Sequence, residues 1–152
     1  MTFRDGMKKR GCLTLDELRS TPGCPTEERL RRGPVAVIEC PQEIPCNPCE
    51  DACPYGAIVV GDPITNLPVL KEDLCRGCGL CIAPCPGLAI FLVDMTGENG
   101  EAKISFPFEY LPLPEPGAAV QAVDRQGQIL AAGRVVGIHN SRRNDRTAVV
   151  TI

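Results

Sequence analysis

The cysteines between positions 40 and 85 constrain this chain more than any other feature. Eight of its ten cysteines lie there. The later run reads Cys75-x2-Cys78-x2-Cys81-x3-Cys85-Pro86, and the earlier one Cys46-x2-Cys49-x3-Cys53-Pro54. A shift of thirty-two positions puts Cys46 on Cys78, Cys49 on Cys81, Cys53 on Cys85 and Pro54 on Pro86. The same shift puts Ala57 on Ala89 and Ile58 on Ile90, but it puts Glu43 where Cys75 stands. A repeat with its cysteines in register implies two similar sites related by an approximate two-fold axis.

The later run is the spacing that bacterial proteins use to hold a [4Fe–4S] cluster. A cubane offers four iron corners, each needing one thiolate. Three closely spaced cysteines reach one face, and the fourth corner needs a ligand from elsewhere. Zinc is the main rival, because CxxC pairs often bind it. Structural zinc sites use two such pairs, whereas here a third cysteine follows at the same interval and Cys-Pro closes each run, which favours iron–sulfur chemistry. A disulfide framework belongs to short secreted chains.

On these motifs the segment from Cys40 to Ile90 resembles the bacterial-type two-cluster ferredoxins, over about a third of the chain. The resemblance implies that the last cysteine of each run ligates the other run's cluster. One [4Fe–4S] cluster then takes Cys75, Cys78, Cys81 and Cys53. The other takes Cys46, Cys49 and Cys85. For its fourth ligand, the preference of iron–sulfur clusters for soft thiolate favours Cys40 over Glu43. A three-cysteine cluster with an open corner, or a [3Fe–4S] cluster, is the further alternative. The Cys40–Cys46 loop is longer than the family pattern and is stiffened by Pro41 and Pro45.

The fold class expected is α+β. It comprises an N-terminal extension (1–39), a dicluster ferredoxin-like domain (40–95), a strand and proline-rich linker (96–117) and a small C-terminal antiparallel sheet or barrel (118–152). In the extension, Thr14 with Glu17 reads as a capping box, and Thr26 starts a second short helix stopped by Gly33-Pro34. Cys12 and Cys24 have no CxxC partners and read as buried or free thiols, with contact to a partner's cofactor as the alternative. Strands are expected at 34–39, 57–60, 69–71, 88–94 and 103–110, with a helical turn at 50–53. Pro107 should make its strand an edge or bulged one. Tyr55 is expected to pack on a cluster or serve as a core aromatic. Residues 118–152 read as a three-stranded meander joined by the 103–110 strand. So small a sheet is marginal alone, which favours a docking role over a purely stabilising one. His139, the only histidine, reads as a loop or strand-end residue.

Aromatic residues make up 4% of the chain and tryptophan is absent, so aromatic packing contributes little. Clusters are expected to cross-link the cysteine-rich part in place of a large core. A net charge of −3 disfavours nucleic acid as a partner. No apolar run is long enough to span a membrane and no signal segment is expected, so free thiolates point to a reducing cytoplasm. No dinucleotide, phosphate-loop or nucleophile motif is present, so the chain is not expected to catalyse a reaction alone. The segment GPVAVIECPQEIPCNPCEDACPYGAI with a small β tail looks like the iron–sulfur subunits that accompany flavin-dependent amine or amino-acid dehydrogenases. That resemblance implies a hetero-oligomer in which the flavin sits on a partner and the clusters carry electrons onward. The alternatives are a free-standing ferredoxin, or a cluster-stabilised interaction or redox-sensing module.

Overall fold

Local signals start the short helices of the N-terminal extension. In the computed structural model, which describes residues 3–152, α1 (Phe3–Arg10) precedes them, although the sequence reading places no helix there. Thr14 caps α2 (Leu15–Arg19) as expected. Its hydroxyl accepts from the Glu17 N–H at 3.3 Å, and Glu17 Oε2 accepts from the Thr14 N–H at 2.8 Å. Thr26 likewise caps α3 (Glu27–Leu30), accepting from the Arg29 N–H at 3.2 Å.

Val35-Ala36-Val37-Ile38 then forms β1 (Val35–Ile38), buried along its whole length as its unbroken apolar run demands. The cysteine-rich part adds α4 (Pro48–Asp51), whose proline sits in the first turn where its missing N–H costs nothing. The short strands β2 (Ile58–Val59) and β3 (Val69–Leu70) follow, and β4 (Ile90–Asp94) closes the segment.

The thirty-two-residue repeat is visible in the hydrogen-bond register. β2 pairs antiparallel with β3, joining Ile58 to Leu70 and Val59 to Val69. β1 pairs antiparallel with β4, joining Ile38 to Ile90 and Val37 to Phe91. Each pair maps on the other under the shift. So do the flanking bonds, Lys71 N–H to Ala57 O and Glu39 N–H to Ala89 O, both 2.8 Å. The N-terminal extension seals both halves at once. The Ile38 N–H donates to Gly23 O and the Leu70 N–H to Pro22 O, each at 2.9 Å. The core between the halves holds Ile38, Ile58, Ile82, Ile90 and three buried cysteines, Cys49, Cys81 and Cys85. Burying each isoleucine contributes about 1.5–3 kcal/mol.

β5 (Lys103–Phe108) adds to β4, and the sheet runs β1-β4-β5-β9-β8, with β8 (Gly137–His139) and β9 (Ala148–Thr151) at its far side. The pairing of β5 with β4 stops short of Pro107. Only Lys103–Ser105 pair with β4, and Phe106–Phe108 have β9 as their one neighbour. The strand is therefore central in its first half and an edge at the proline, as a residue without an N–H requires. His139 ends β8 and is exposed, in line with the expected strand-end position.

The three-stranded meander expected over 118–152 does not form. β6 (Ala119–Val123) and β7 (Ile129–Arg134) pair with each other as a separate hairpin, while β8 and β9 join the main sheet. The run QILAAGRVVGI, read as one strand, divides at Val135. Its N–H donates to Ala118 O in the hairpin, whereas the next N–H, of Val136, donates to Thr151 O in the sheet. Val135 is only 1% exposed, and burying that side chain turns the chain from one sheet to the other. A turn at 124–127 joins β6 to β7: Asp124 Oδ1 accepts from the Gln126 and Gln128 N–H groups, and Gly127 takes φ 80°.

Candidate metal centres

Each cysteine run is shaped by a short helical turn that ends at its last cysteine. The Cys53 N–H donates to Glu50 O at 3.1 Å and the Cys85 N–H to Ile82 O at 3.3 Å. The chain then turns sharply, at Gly56 with φ 62° and at its counterpart Leu88 with φ 51°. That turn aims the next residue's amide back at sulfur. The Ala57 N–H donates to Cys53 Sγ at 3.3 Å, and the Ala89 N–H to Cys85 Sγ at 3.4 Å.

Two small cavities of similar size result. Cys53, Cys75, Cys78 and Cys81 line one; Cys40, Cys46, Cys49 and Cys85 line the other. Each therefore gathers three thiols from one run and a fourth from the other end of the repeat. The walls are mainly aliphatic, with Ile58, Leu80 and Leu92 in the first and Ile38, Ile44 and Ile90 in the second. Cys40 reaches the second cavity, whereas Glu43 is exposed and is not in its wall. Tyr55 lines the first cavity but is 48% exposed, so it forms the rim rather than part of the core. Cys12 and Cys24 line neither. Cys24 packs on the separate small cluster of Leu13, Leu18 and Val37.

The loops differ where the repeat is imperfect. Gly77 and Gly79 take φ 66° and 72°, and the shift places Pro45 and Asn47 opposite them. Proline cannot take a positive φ, so the earlier loop cannot trace the later one, and its extra cysteine sits further upstream. Gly77 is also packed tight: a Cβ there would lie 2.6 Å from the Pro34 carbonyl oxygen.

The electrostatics of both cavities oppose bare thiolates. Burial pushes the Cys81 thiol up to about 12, and neighbouring Cys75, Cys78 and Cys53 push the same way. Burial and Cys85 push Cys49 up to about 11. Burial, then Cys85 and Cys46, raise Cys40. Four sulfurs so placed ionise together only around compensating cations. Among the described residues no three His, Cys, Asp or Glu side chains converge on a single-ion site. The thiols instead surround a space, which suits a polynuclear group with one thiolate per iron.

Two contacts that the sequence reading missed hold these loops in place. Arg29 is 9% exposed and donates to four backbone carbonyls: Glu72 at 3.0 Å, Gly33 at 3.1 Å, Pro34 at 3.2 Å and Cys75 at 2.8 Å. The Glu72 carboxylate in turn accepts from the Thr26 N–H and hydroxyl at 2.6 and 2.9 Å. On the other side Arg125, at the β6–β7 turn, pairs through both terminal nitrogens with the Glu39 carboxylate, next to Cys40. No local pattern marks either arginine, because each partner lies at least forty-three residues away for the long-range bonds concerned.

A pseudo-two-fold strand register around two thiol-lined cavities is consistent with the likeness to ferredoxin-type iron–sulfur proteins. Comparison with known proteins agrees. Ferredoxin-type protein NapF of Escherichia coli K12 is 39% identical over 51 residues, covering 32% of this chain and 31% of NapF. Protein Pixie of Drosophila melanogaster is 31% identical over 89 residues, covering 52% of this chain and 15% of Pixie. Translation initiation factor RLI1 of Saccharomyces cerevisiae is 31% identical over 90 residues, again 52% of this chain and 15% of the relative. The chain thus spans less than a third of the length of each. No protein-family model and no solved structure matches it. Among the described residues no helix is long and apolar enough to cross a membrane.

Proposed function

We propose that this chain is an electron-transfer subunit carrying two [4Fe–4S] clusters, one on Cys53, Cys75, Cys78 and Cys81 and the other on Cys40, Cys46, Cys49 and Cys85. The observation that carries the reading is the sorting of eight cysteines into two cavities of similar size, each fed by both ends of the repeat. The clusters would supply one-electron chemistry. The protein holds the thiolates, excludes water with its aliphatic walls and donates backbone N–H groups to Cys53 and Cys85 sulfur, which tunes the potential. Iron and acid-labile sulfide analysis of anaerobically purified protein tests it, with about eight of each expected per chain from two four-iron clusters. Colourless protein containing zinc would overturn it.

The clusters relay electrons between a flavin-containing dehydrogenase subunit, acting on an amine or amino acid, and a further cofactor or acceptor. The sequence resemblance to such iron–sulfur subunits supports this, as does the exposed apolar surface of the β6–β7 hairpin, where Val123, Ile129 and Leu130 are 54, 61 and 70% exposed. Purification from the native source tests the relay: a flavoprotein that co-elutes supports it, and elution as a lone monomer favours a free ferredoxin.

A further inference from the structure

The two cavities match in register and size but not in charge or exposure. The cavity of Cys53, Cys75, Cys78 and Cys81 has Arg76 in its wall and Arg29 directly behind it. Arg29 is nearly buried, and all four of its side-chain hydrogen bonds go to neutral backbone carbonyls, one of them the Cys75 carbonyl. Among the described residues it has no ion-pair partner within salt-bridge distance. A buried, unneutralised cation acts through a low dielectric and is weakly screened. The wall of the other cavity contains no charged side chain. Acidic side chains flank both cavities along the chain, Glu72 and Asp73 ahead of Cys75 and Glu50 and Asp51 after Cys49, and Glu39 beside Cys40 is paired with Arg125, so the difference in charge rests on Arg29 and Arg76. Exposure differs in the same sense. Cys78 is exposed, whereas no cysteine of the other cavity is.

Adding an electron to a cluster adds one negative charge, so a fixed nearby cation favours the reduced form, and net charge and solvent exposure are among the levers that set cluster potentials. We propose that Arg29 is a positioning residue that makes the cluster of Cys53, Cys75, Cys78 and Cys81 the higher-potential one, so that the first electron entering the chain settles at the cluster with the exposed corner. The step is one-electron reduction of that cluster, the electron coming from the flavin partner or, in the test, from dithionite. The inference rests on the two-cluster reading above. If that reading fails, the protein contains no eight-iron complement and no titration is seen; if only this inference fails, both clusters are present and fill in the other order.

The test uses the whole chain with its clusters, with cysteine β-carbons labelled and titrated stepwise with dithionite under paramagnetic NMR. The Cys53, Cys75, Cys78 and Cys81 signals are expected to move in the first step, and those of Cys40, Cys46, Cys49 and Cys85 in the second. Movement of the second group first, or of both groups together, overturns the proposal. An EPR-monitored potential titration of Arg29→Gln then isolates the charge. The first step should fall by about 59 mV or more, a tenfold change for one electron, while the second stays in place. Arg29→Lys, which keeps the charge and loses the fork, should restore most of the shift. An unmoved first step in iron-replete Arg29→Gln protein overturns the role of Arg29. Should Arg29→Gln lose iron, the Lys variant decides: a first step at the native potential supports the charge, and a fall as large as tenfold refutes it.

Discussion

The cysteine-rich repeat and the β6–β7 hairpin are built on opposite principles. The repeat has very short strands, two of only two residues, yet Ile58, Ile82, Ile90 and three of its cysteines are almost wholly buried. The hairpin has longer strands, paired with one irregularity between Ala122 and Val123, yet most of its side chains are exposed. One region is held by what its side chains enclose, the other by backbone pairing and one ion pair at its tip. A two-stranded sheet is marginal alone, so the hairpin depends on what it touches. The repeat depends on what fills its cavities.

Removing one ligand should produce the largest contrast. Cys40→Ala should lose about half of the iron, four of eight atoms for one cluster, whereas Glu43→Ala should keep it all. Cys12→Ser and Cys24→Ser should also retain full iron. Iron analysis with EPR reads all four variants, and iron loss in Glu43→Ala with retention in Cys40→Ala would move the ligand. Core truncation comes next. Ile90→Ala should destabilise the protein by about 2–5 kcal/mol, while Leu130→Ala in the hairpin should change stability by less than about 0.5 kcal/mol. Denaturant unfolding measures both, and equal effects would erase the distinction between the regions.

Smaller effects probe the contacts between regions. Arg125→Ala removes the partly exposed pair with Glu39 and should cost about 0.2–1 kcal/mol. The loss should appear as faster amide exchange in β6 and β7 with little change in β1 and β4; the opposite distribution would show that the hairpin stands without its tip contact. The smallest effect lies at the N-terminus. The Arg10 guanidinium, followed by the Thr14 N–H, holds the Glu17 carboxyl down at about 2, below its ordinary 4.5. A depressed carboxyl stabilises the fold above its unfolded pKa, so this contribution is complete above about pH 4.5 and is lost as pH falls toward 2. Amide shifts of α1 and α2 followed through that window should report it, and Glu17→Gln should abolish the transition.

The sequence by itself determined the repeat, the cysteine spacing, the helix caps at Thr14 and Thr26, and most strand positions, because these rest on interactions a few residues long. Spacing and family likeness gave the expectation of two cysteine groups, with the last place of the second left open between Cys40, Glu43 and an open corner. Tertiary structure alone decided three things. Val135 is buried, so an apolar run that reads as one strand is shared between two sheets. Pro107 occupies a strand that is central at one end and an edge at the other, which depends on where its pairing with β4 stops. Arg29 turns inward from α3 to carbonyls from positions 33 to 75. The physical reason is common to all three. Burial and long-range hydrogen bonding are settled by which segments meet, and a local pattern of residues carries no record of its distant neighbours.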